Sequence, residues 1–500
     1  MASTSYLAVD LGAESGRVIV GILDDGRLTL HEAHRFLHNP VDLPSGLHWD
    51  LTGLWHNIIE GLRVACDWCS EHGHTPSSVG VDTWGVDFAL LGHDGELVHM
   101  PHAYRDPRND AAHGKLLEAL GKEKLYDRTG IQFMALNTLP QLVASHEADP
   151  GLLARADRLL FVPDLLHYWL TGVAKVEATI ASTSQMVDPR GGGLAWATDL
   201  LEAMGLPTQM LGDIVPPGTI IGPLRDAVAQ RIGAPGGMVV TAPAAHDTAS
   251  AIAAVPVDLR RGNWCYLSSG TWSLMGAELD APVLTDAARD TPFTNEGGVG
   301  GTIRFLKNII GLWLVQEIRR DYEHRGENYD YPTLAKLAEN AKPFVTLLDP
   351  GYAPFSKPTG MLTKIADYAA QSSQPVPETP GAFVRAALES LALTYRRTLE
   401  QLEAVLDTRY DVLHVVGGGG KNELLNRMTA DAIGRPVVVG PYEATAAGNV
   451  LVQAMGAGDL SHLAAARKVV ADSFEPVRYA PQETAEWDAA YARFGRLLRE

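Results

Sequence analysis

Two Gly/Ser/Thr turns, set far apart and each entered from an apolar run with strand character, constrain the fold of this chain more than any other feature. The first lies in Tyr6-Leu-Ala-Val-Asp10-Leu-Gly12-Ala-Glu14-Ser15-Gly16-Arg17, the second in Tyr266-Leu-Ser268-Ser269-Gly270-Thr271-Trp272-Ser273. Strand-forming residues flank both turns (Val9, Val18 and Val20; Leu267, Trp272 and Leu274), so each reads as a hairpin whose tip lacks bulky side chains. Such a tip offers several backbone N–H groups and hydroxyls to one anion. One tip in each half points to the phosphates of a nucleotide held between two similar domains.

A chain of 500 residues is too long for one typical core, and the size favours two domains of about 200 to 250 residues each. With 46% hydrophobic and 20% charged residues, neither disorder nor a fibre is indicated. The 41 Lys and Arg against 60 Asp and Glu give a net charge of −19, which disfavours nucleic acid or an anionic membrane as the main partner. An anionic ligand such as ATP must then be held locally, by backbone donors, Mg²⁺ and a few basic side chains. The opening Met-Ala-Ser-Thr-Ser has no basic or apolar leader character, and no run of 18 apolar residues occurs, so a cytoplasmic protein is expected.

Three cysteines exclude a disulfide scaffold and fit a reducing compartment. Cys66-Asp-Trp-Cys69 has redox spacing, yet it falls late in an amphipathic segment over 51–69, whereas a redox pair normally starts a helix. A structural role is expected for both thiols. His31, His34 and His38 lie on a strand-like stretch without a partner at metal-ligand spacing, and read as solvated.

Residues 6–37 read as a three-strand meander, with Asp25-Gly26 as a hairpin signal, followed by a helix over 51–71 and a strand-to-turn unit at Val79-Gly-Val-Asp82-Thr-Trp84-Gly85-Val-Asp87-Phe88. Residues 110–172 carry mostly helical patterning. The second half repeats the plan: a strand over 237–241, a small-residue helix after His246-Asp247-Thr248, a second hairpin over 263–279, a strand Val412-Leu-His-Val-Val416 running into Gly417 to Gly420, and a closing helix over 445–457. The expected fold is α/β with two domains, residues 1–246 and 247–480, and a helical tail over 481–500.

Asp10 ends an apolar strand beside an anion-binding turn, a costly place for a carboxylate unless a cation compensates it. Mg²⁺ bound through water would do so, and Ser15, Gly16 and Arg17 complete a phosphate site. Asp247 stands between a strand and a helix, where it caps the helix, accepts the proton of a substrate hydroxyl, or does both. Gly417 to Gly420 fit neither a Walker loop nor a dinucleotide fingerprint, because Lys421 is followed by Asn422 and the third spaced glycine is missing. They suit the approach of adenosine or its α-phosphate, or a tight turn. Asp82, Trp84, Gly85 and Asp87 join carboxylates to an indole, a pairing common in sugar sites, with Asp87 the one most open to a core or capping role.

At this point Asp10-Leu-Gly-Ala-Glu-Ser-Gly-Arg17, Val81-Asp-Thr-Trp-Gly-Val-Asp-Phe88, His246-Asp-Thr-Ala-Ser250, Leu267-Ser-Ser-Gly-Thr-Trp-Ser273, Thr294-Asn-Glu-Gly-Gly298, Lys307-Asn-Ile-Ile-Gly-Leu-Trp313 and Val416-Gly-Gly-Gly-Gly420 resemble, in order, the FGGY carbohydrate kinases, most closely their rhamnulokinase branch. The resemblance implies two ribonuclease-H-like, actin-like ATPase domains with a ligand cleft between them. It further implies that Ala13, Glu14, Ser15, Gly16 and Arg17 face the phosphates, with Glu14 contributing only its backbone N–H. Thr271, Gln316, Gly418 and Gly419 would contact ATP. Gly85, Asp82, Trp84, His246, Asp247, Thr248 and Asn308 would meet a small-molecule ketose, and Asp247 would be catalytic. The implied reaction turns L-rhamnulose and ATP into L-rhamnulose 1-phosphate and ADP. L-Fuculose or a pentulose as acceptor, or an actin-like regulatory ATPase, remains open at this stage, as does the choice between monomer and homo-oligomer.

Overall fold

The computed structural model describes residues 3–257 and 263–498. The first sheet contains β1 (Thr4–Leu11), β2 (Ser15–Asp24), β3 (Arg27–Leu37), β4 (Pro76–Thr83), β5 (Ile220–Pro223) and β6 (Val239–Thr241), in the order β5-β6-β4-β1-β2-β3. β1, β2 and β3 form the expected antiparallel meander, and β4 runs parallel to both β1 and β6. Asp25 and Gly26 both take positive φ at the second turn (44° and 75°), as a tight hairpin between twisted strands requires. α1 (Leu51–Glu71) begins where the Asp50 side chain accepts from the Gly53 N–H, and buries Leu54, Ile58, Leu62 and Ala65 on one face.

The second sheet contains β7 (Trp264–Ser269), β8 (Trp272–Leu279), β9 (Thr294–Gly297), β10 (Ile303–Ile310), β11 (Val412–Val416), β12 (Val437–Val439) and β13 (Val477–Tyr479), in the order β9-β10-β8-β7-β11-β12-β13. β7 pairs antiparallel with β8 and parallel with β11, which in turn runs parallel to β12. The succession β2-β1-β4-β6 in one sheet thus matches β8-β7-β11-β12 in the other, and the duplicated plan expected from the two turns is present.

The compact units are interleaved along the chain instead of following one another at residue 246. One comprises Met1–Pro256, Glu278–Leu306 and Ala444–Phe474; the other comprises Val257–Ala277, Lys307–Glu443 and Glu475–Glu500. The late helix Ala444–Ala457 joins the first unit because its small residues pack on the helix Asp247–Ala253. A Cβ at Gly448 would lie 1.8 Å from the Ser250 carbonyl oxygen. Its Asn449 and Gln453 side chains also donate to the carbonyls of Gly80 and Leu7. The helix Thr484–Leu497 is no separate tail: its Trp487 meets Phe344 edge-on at 4.9 Å in the second unit.

Residues 158–161, read from sequence as part of a helical region, form a strand paired antiparallel with Phe88–Leu91. Cys66, Cys69 and Cys265 are free and buried, and burial pushes the first two thiols up to about 12 and about 11, as suits structural cysteines. The three histidines of β3 and its end are not simply solvated. His31 stacks on Trp68 at 4.1 Å, and His38 lies 5.2 Å from the Trp84 ring. Among the described residues no helix is long and apolar enough to cross a membrane.

Candidate active site

The first unit gathers two carboxylates near the ends of its central strands, with a third, Asp247, on the following helix. Asp10 closes β1, Asp82 lies near the end of β4, and the two are register partners across the parallel pair. Arg17, opposite Asp10 on β2, forms an ion pair with it. Asp82 is fully buried; its Oδ2 accepts from Asn449 Nδ2 at 2.6 Å, and its Oδ1 has no hydrogen-bond partner among the described residues. Burial first, then the negative charge of Asp10, hold the Asp82 carboxyl well above the usual range, and Asp247 adds to the effect. Beneath Asp82 a polar ladder recedes into the core: Gln453 Nε2 donates to Asn449 Oδ1 at 2.6 Å, and Ser78 Oγ donates to Gln453 Oε1 at 2.5 Å.

His246, Asp247 and Thr248 are brought beside these acids by the chain that leaves β6. The Thr83 N–H donates to the Ala245 carbonyl at 2.9 Å, which lays the turn against the end of β4. From the other side, Glu177 Oε2 accepts the Ala245 N–H at 3.0 Å and Thr179 Oγ1 accepts the His246 N–H at 3.2 Å. Asp247 is the first residue of its helix. Its Oδ1 accepts from the Thr248 N–H at 2.6 Å and from Thr248 Oγ1 at 3.1 Å, while His246 Nε2 lies 3.4 Å from the same oxygen. The N-cap is His246, so Asp247 is not the cap its sequence position suggests; it takes the Thr248 N–H on Oδ1 from within the first turn, and Oδ2 stays clear of these contacts. Burial raises its carboxyl above the ordinary aspartate value, which favours proton acceptance.

Trp84 departs from the sequence reading, and Asp87 takes the core role that reading left open for it. The Trp84 ring is only 5% exposed and packs on Trp49 at 4.1 Å and on His38, so it forms a wall instead of lying open to a ligand. Asp87 has the core role: its Oδ2 accepts the indole N–H of both Trp49 and Trp84, at 2.6 and 2.9 Å, and Gln141 donates to Oδ1 at 3.2 Å. Burial pushes its carboxyl up to about 6. Between them Gly85 packs under Thr183, and Val86 is held at φ 68°, a strained conformation for a β-branched residue. Thr183 and Thr138 pin that strain by hydrogen bonds to the Val86 N–H and carbonyl.

In the turn between β1 and β2, Ala13 and Glu14 form the bend, and Gly12 N–H to Ser15 O closes it at 3.0 Å. Gly16 is buried, and its missing side chain serves packing: a Cβ there would lie 2.4 Å from the Phe36 ring.

The second unit assembles the other half of the expected set. The Gly270–Thr271 turn between β7 and β8 accepts three backbone N–H groups from Gly311, Leu312 and Trp313, which lead into the helix Trp313–His324. Gln316 Nε2 then reaches Thr271 Oγ1 at 3.0 Å. Gly417 to Gly420 follow β11 directly; a Cβ at Gly419 would strike Ser269 Oγ at 2.2 Å, whereas Gly418 faces open space. Thr271, Gln316, Gly418 and Gly419 thus cluster at the ends of β7 and β11. Asn308 lies on β10, partly buried, and within this unit.

Residues 5–254 match the N-terminal domain of the FGGY family of carbohydrate kinases, and residues 265–457 match its C-terminal domain. The chain belongs to the FGGY carbohydrate kinases. It is 45% identical over 495 residues to a rhamnulokinase of Bacteroides thetaiotaomicron, covering 99% of each chain. A rhamnulokinase of Bacillus subtilis is 38% identical over 478 residues, with 96% of each chain covered. Among solved structures the gluconate kinase of Lactobacillus acidophilus superposes with a TM-score of 0.80 over 100% of this chain and 98% of its own, at 13% identity, a likeness of fold.

Several residues of this FGGY kinase that frame the site were not singled out from the sequence. Glu177 and Asn449 hold the His246 turn and Asp82 through contacts between segments far apart in the chain, which no local pattern records. Glu296 lies in the quoted Thr294-Asn-Glu-Gly-Gly298 stretch, where its ionic pairing with Arg304 was not visible.

Proposed function

We propose that this kinase transfers the γ-phosphoryl group of ATP to the 1-hydroxyl of L-rhamnulose, giving L-rhamnulose 1-phosphate and ADP. The observation that carries the reading is Asp247, whose hydrogen bonds among the described residues all fall on Oδ1 while the side chain stays 28% exposed. Oδ2 then takes the proton of the 1-hydroxyl as that oxygen attacks the γ-phosphorus, and the bond to the ADP oxygen breaks. The curated relatives named rhamnulokinase favour this sugar.

His246, Thr248, Gly85, Asp82 and Asn308 would bind and orient the sugar, with the buried Trp84 backing Gly85; Ala13, Glu14, Ser15, Gly16 and Arg17 would face the phosphates through the bend; Thr271, Gln316, Gly418 and Gly419 would hold the nucleotide. Asp10, with Asp82 beside it, fits Mg²⁺: both are oxygen donors, Asp82 keeps a buried oxygen without a partner, and Mg²⁺ takes one or two carboxylates and retains waters. When bound, Mg²⁺ neutralises phosphate charge. A setting with abundant ATP and reduced thiols, the cytoplasm, suits the three free cysteines.

The test is a coupled ADP-release assay with Mg²⁺-ATP across L-rhamnulose, L-fuculose, D-xylulose, L-ribulose and glycerol. L-Rhamnulose should give the highest kcat/KM, since a missing or misdirected hydroxyl leaves buried polar groups unpaired. Asp247→Asn should lower kcat at least about 100-fold with the fold intact. A higher kcat/KM for a pentulose or glycerol would reject the substrate, and near-normal turnover of Asp247→Asn would reject the base.

A further inference from the structure

We propose that Glu296 and Arg304 are positioning residues for the transfer: together they fix His246 as the tautomer protonated on Nε2, and through it hold Oδ1 of Asp247 so that Oδ2 faces the sugar hydroxyl. The proposal rests on the catalytic reading of Asp247.

Glu296 on β9 and Arg304 on β10 are register partners, so their side chains leave the same face of the sheet. Arg304 is 0% exposed, an expensive place for a guanidinium, and its Nη1 has no hydrogen-bond partner among the described residues. Its Nε donates to the Gly297 carbonyl at 2.9 Å. Its Nη2 lies 3.0 Å from Glu296 Oε2 and 3.0 Å from His246 Nδ1, with the hydrogen bond directed at the imidazole. An ion pair that merely fastened two strands would turn both guanidinium nitrogens onto the carboxylate in the bidentate manner. Here one nitrogen is shared with the ring of a residue adjacent to the proposed base.

That sharing determines where the imidazole proton sits. A guanidinium has only donors, so the nitrogen it points at must present a lone pair. Nδ1 is therefore the acceptor and the proton resides on Nε2, the nitrogen 3.4 Å from Asp247 Oδ1. Glu296 keeps the arrangement charge-balanced. Its Oε2 also lies 3.2 Å from Nδ1, and with the Arg304 guanidinium removed the carboxylate would draw the proton to Nδ1 and leave a lone pair facing Asp247. Oδ1 of Asp247 thus accepts from Thr248 and has the Nε2–H 3.4 Å away, leaving Oδ2 for the substrate proton.

The tautomer can be read without turnover. In the full-length protein labelled with ¹⁵N at its 17 histidines, the long-range ¹H–¹⁵N cross-peaks lost in His246→Gln, or moved in Arg304→Met, report His246. They should show a protonated Nε2 and an unprotonated Nδ1. Arg304→Met, folded by circular dichroism, should let Glu296 draw the proton to Nδ1 and lower kcat about 10-fold or more with KM for ATP within about twofold, whereas folded Glu296→Gln, which removes the competing carboxylate, should keep the proton on Nε2 while loosening Arg304 and lowering kcat. A wild-type ring protonated on Nδ1 would overturn the proposal, as would folded variants with unchanged kcat. Because the spectrum does not depend on catalysis, normal turnover in Asp247→Asn would reject the base while leaving the tautomer assignment to stand or fall separately.

Discussion

Asp82 stands in register with Asp10 across the parallel strands β4 and β1, so two carboxylates meet at one buried edge. Like charges on neighbouring strands repel, and this pair persists because each acid has its own compensation. Arg17 covers Asp10 from β2, and the Asn449 amide covers one oxygen of Asp82 from a helix almost at the other end of the chain. The remaining oxygen of Asp82 has no hydrogen-bond partner among the described residues.

Asp82→Asn should therefore stabilise the free protein while impairing the enzyme. The amide keeps an oxygen for Asn449 and removes the like charge beside Asp10. A Tm raised by a few degrees without ligand, a smaller stabilisation by Mg²⁺-ATP than in the wild type, and a kcat lowered at least about 10-fold are expected. A Tm lowered together with full activity in differential scanning calorimetry and the coupled assay would contradict this account.

Gly16 should prove sensitive for a packing reason. In Gly16→Ala the new methyl meets the Phe36 ring at 2.4 Å and Leu11 at 2.7 Å, and overpacking of this kind costs about 1 to 3 kcal/mol. Phe36→Leu in the same chain should recover part of that loss. Urea unfolding of the two variants decides it, and no recovery in the double variant would mean that Gly16 is constrained by something other than the ring.

The parts of this fold legible in the sequence are those whose signal is local. Asp25-Gly26, the strand ends at Asp10 and Val416, and the break at Gly417 each express a backbone requirement within a few residues. The site was legible where it coincides with such breaks, at His246 to Thr248 and at Thr271. What escaped depends on partners distant in sequence. Whether Trp84 lies open or against Trp49, and whether Asp87 takes a second indole N–H besides that of nearby Trp84, is decided by Trp49, dozens of positions away. The interleaving of the two units has the same cause, since the packing of Gly448 on Ser250 is invisible until the two helices meet.

Gly418 and Gly419, adjacent in the chain, should respond in opposite ways. A side chain at Gly418 enters open space, so Gly418→Val should leave Tm within about 2 °C yet raise KM for ATP about 10-fold if the nucleotide approaches this backbone. At Gly419 a Cβ strikes Ser269 Oγ at 2.2 Å, so Gly419→Ala should unfold at lower urea. Unchanged KM for ATP in Gly418→Val would remove the glycine run from the nucleotide site.

Glu177 makes the stability of the free protein depend on pH. Its carboxylate oxygen Oε2 accepts from Thr179, Ile180 and Ala245, but Oε1 has no partner among the described residues, and burial pushes the group from the ordinary 4.5 up to about 7. Asp164, whose Oδ1 accepts the Glu177 N–H, is likewise raised, by burial first and then by the Glu177 charge. With the folded-state pKa above the unfolded one, the folded protein keeps a proton that the unfolded chain has released. Stability from this group is thus present below about 4.5 and is lost as pH rises toward about 7, at up to about 1.4 kcal/mol per pH unit. Asp87, raised to about 6, adds to the wild-type slope but is common to both proteins in a comparison. Glu177→Gln retains an oxygen for the three backbone donors and cannot ionise. Its stability relative to the wild type should therefore increase between pH 5 and about 7 and level off above, measured by urea unfolding at each pH. A constant difference across that range would mean that Glu177 is ionised throughout, and that the turn carrying His246 and Asp247 is held by a charge.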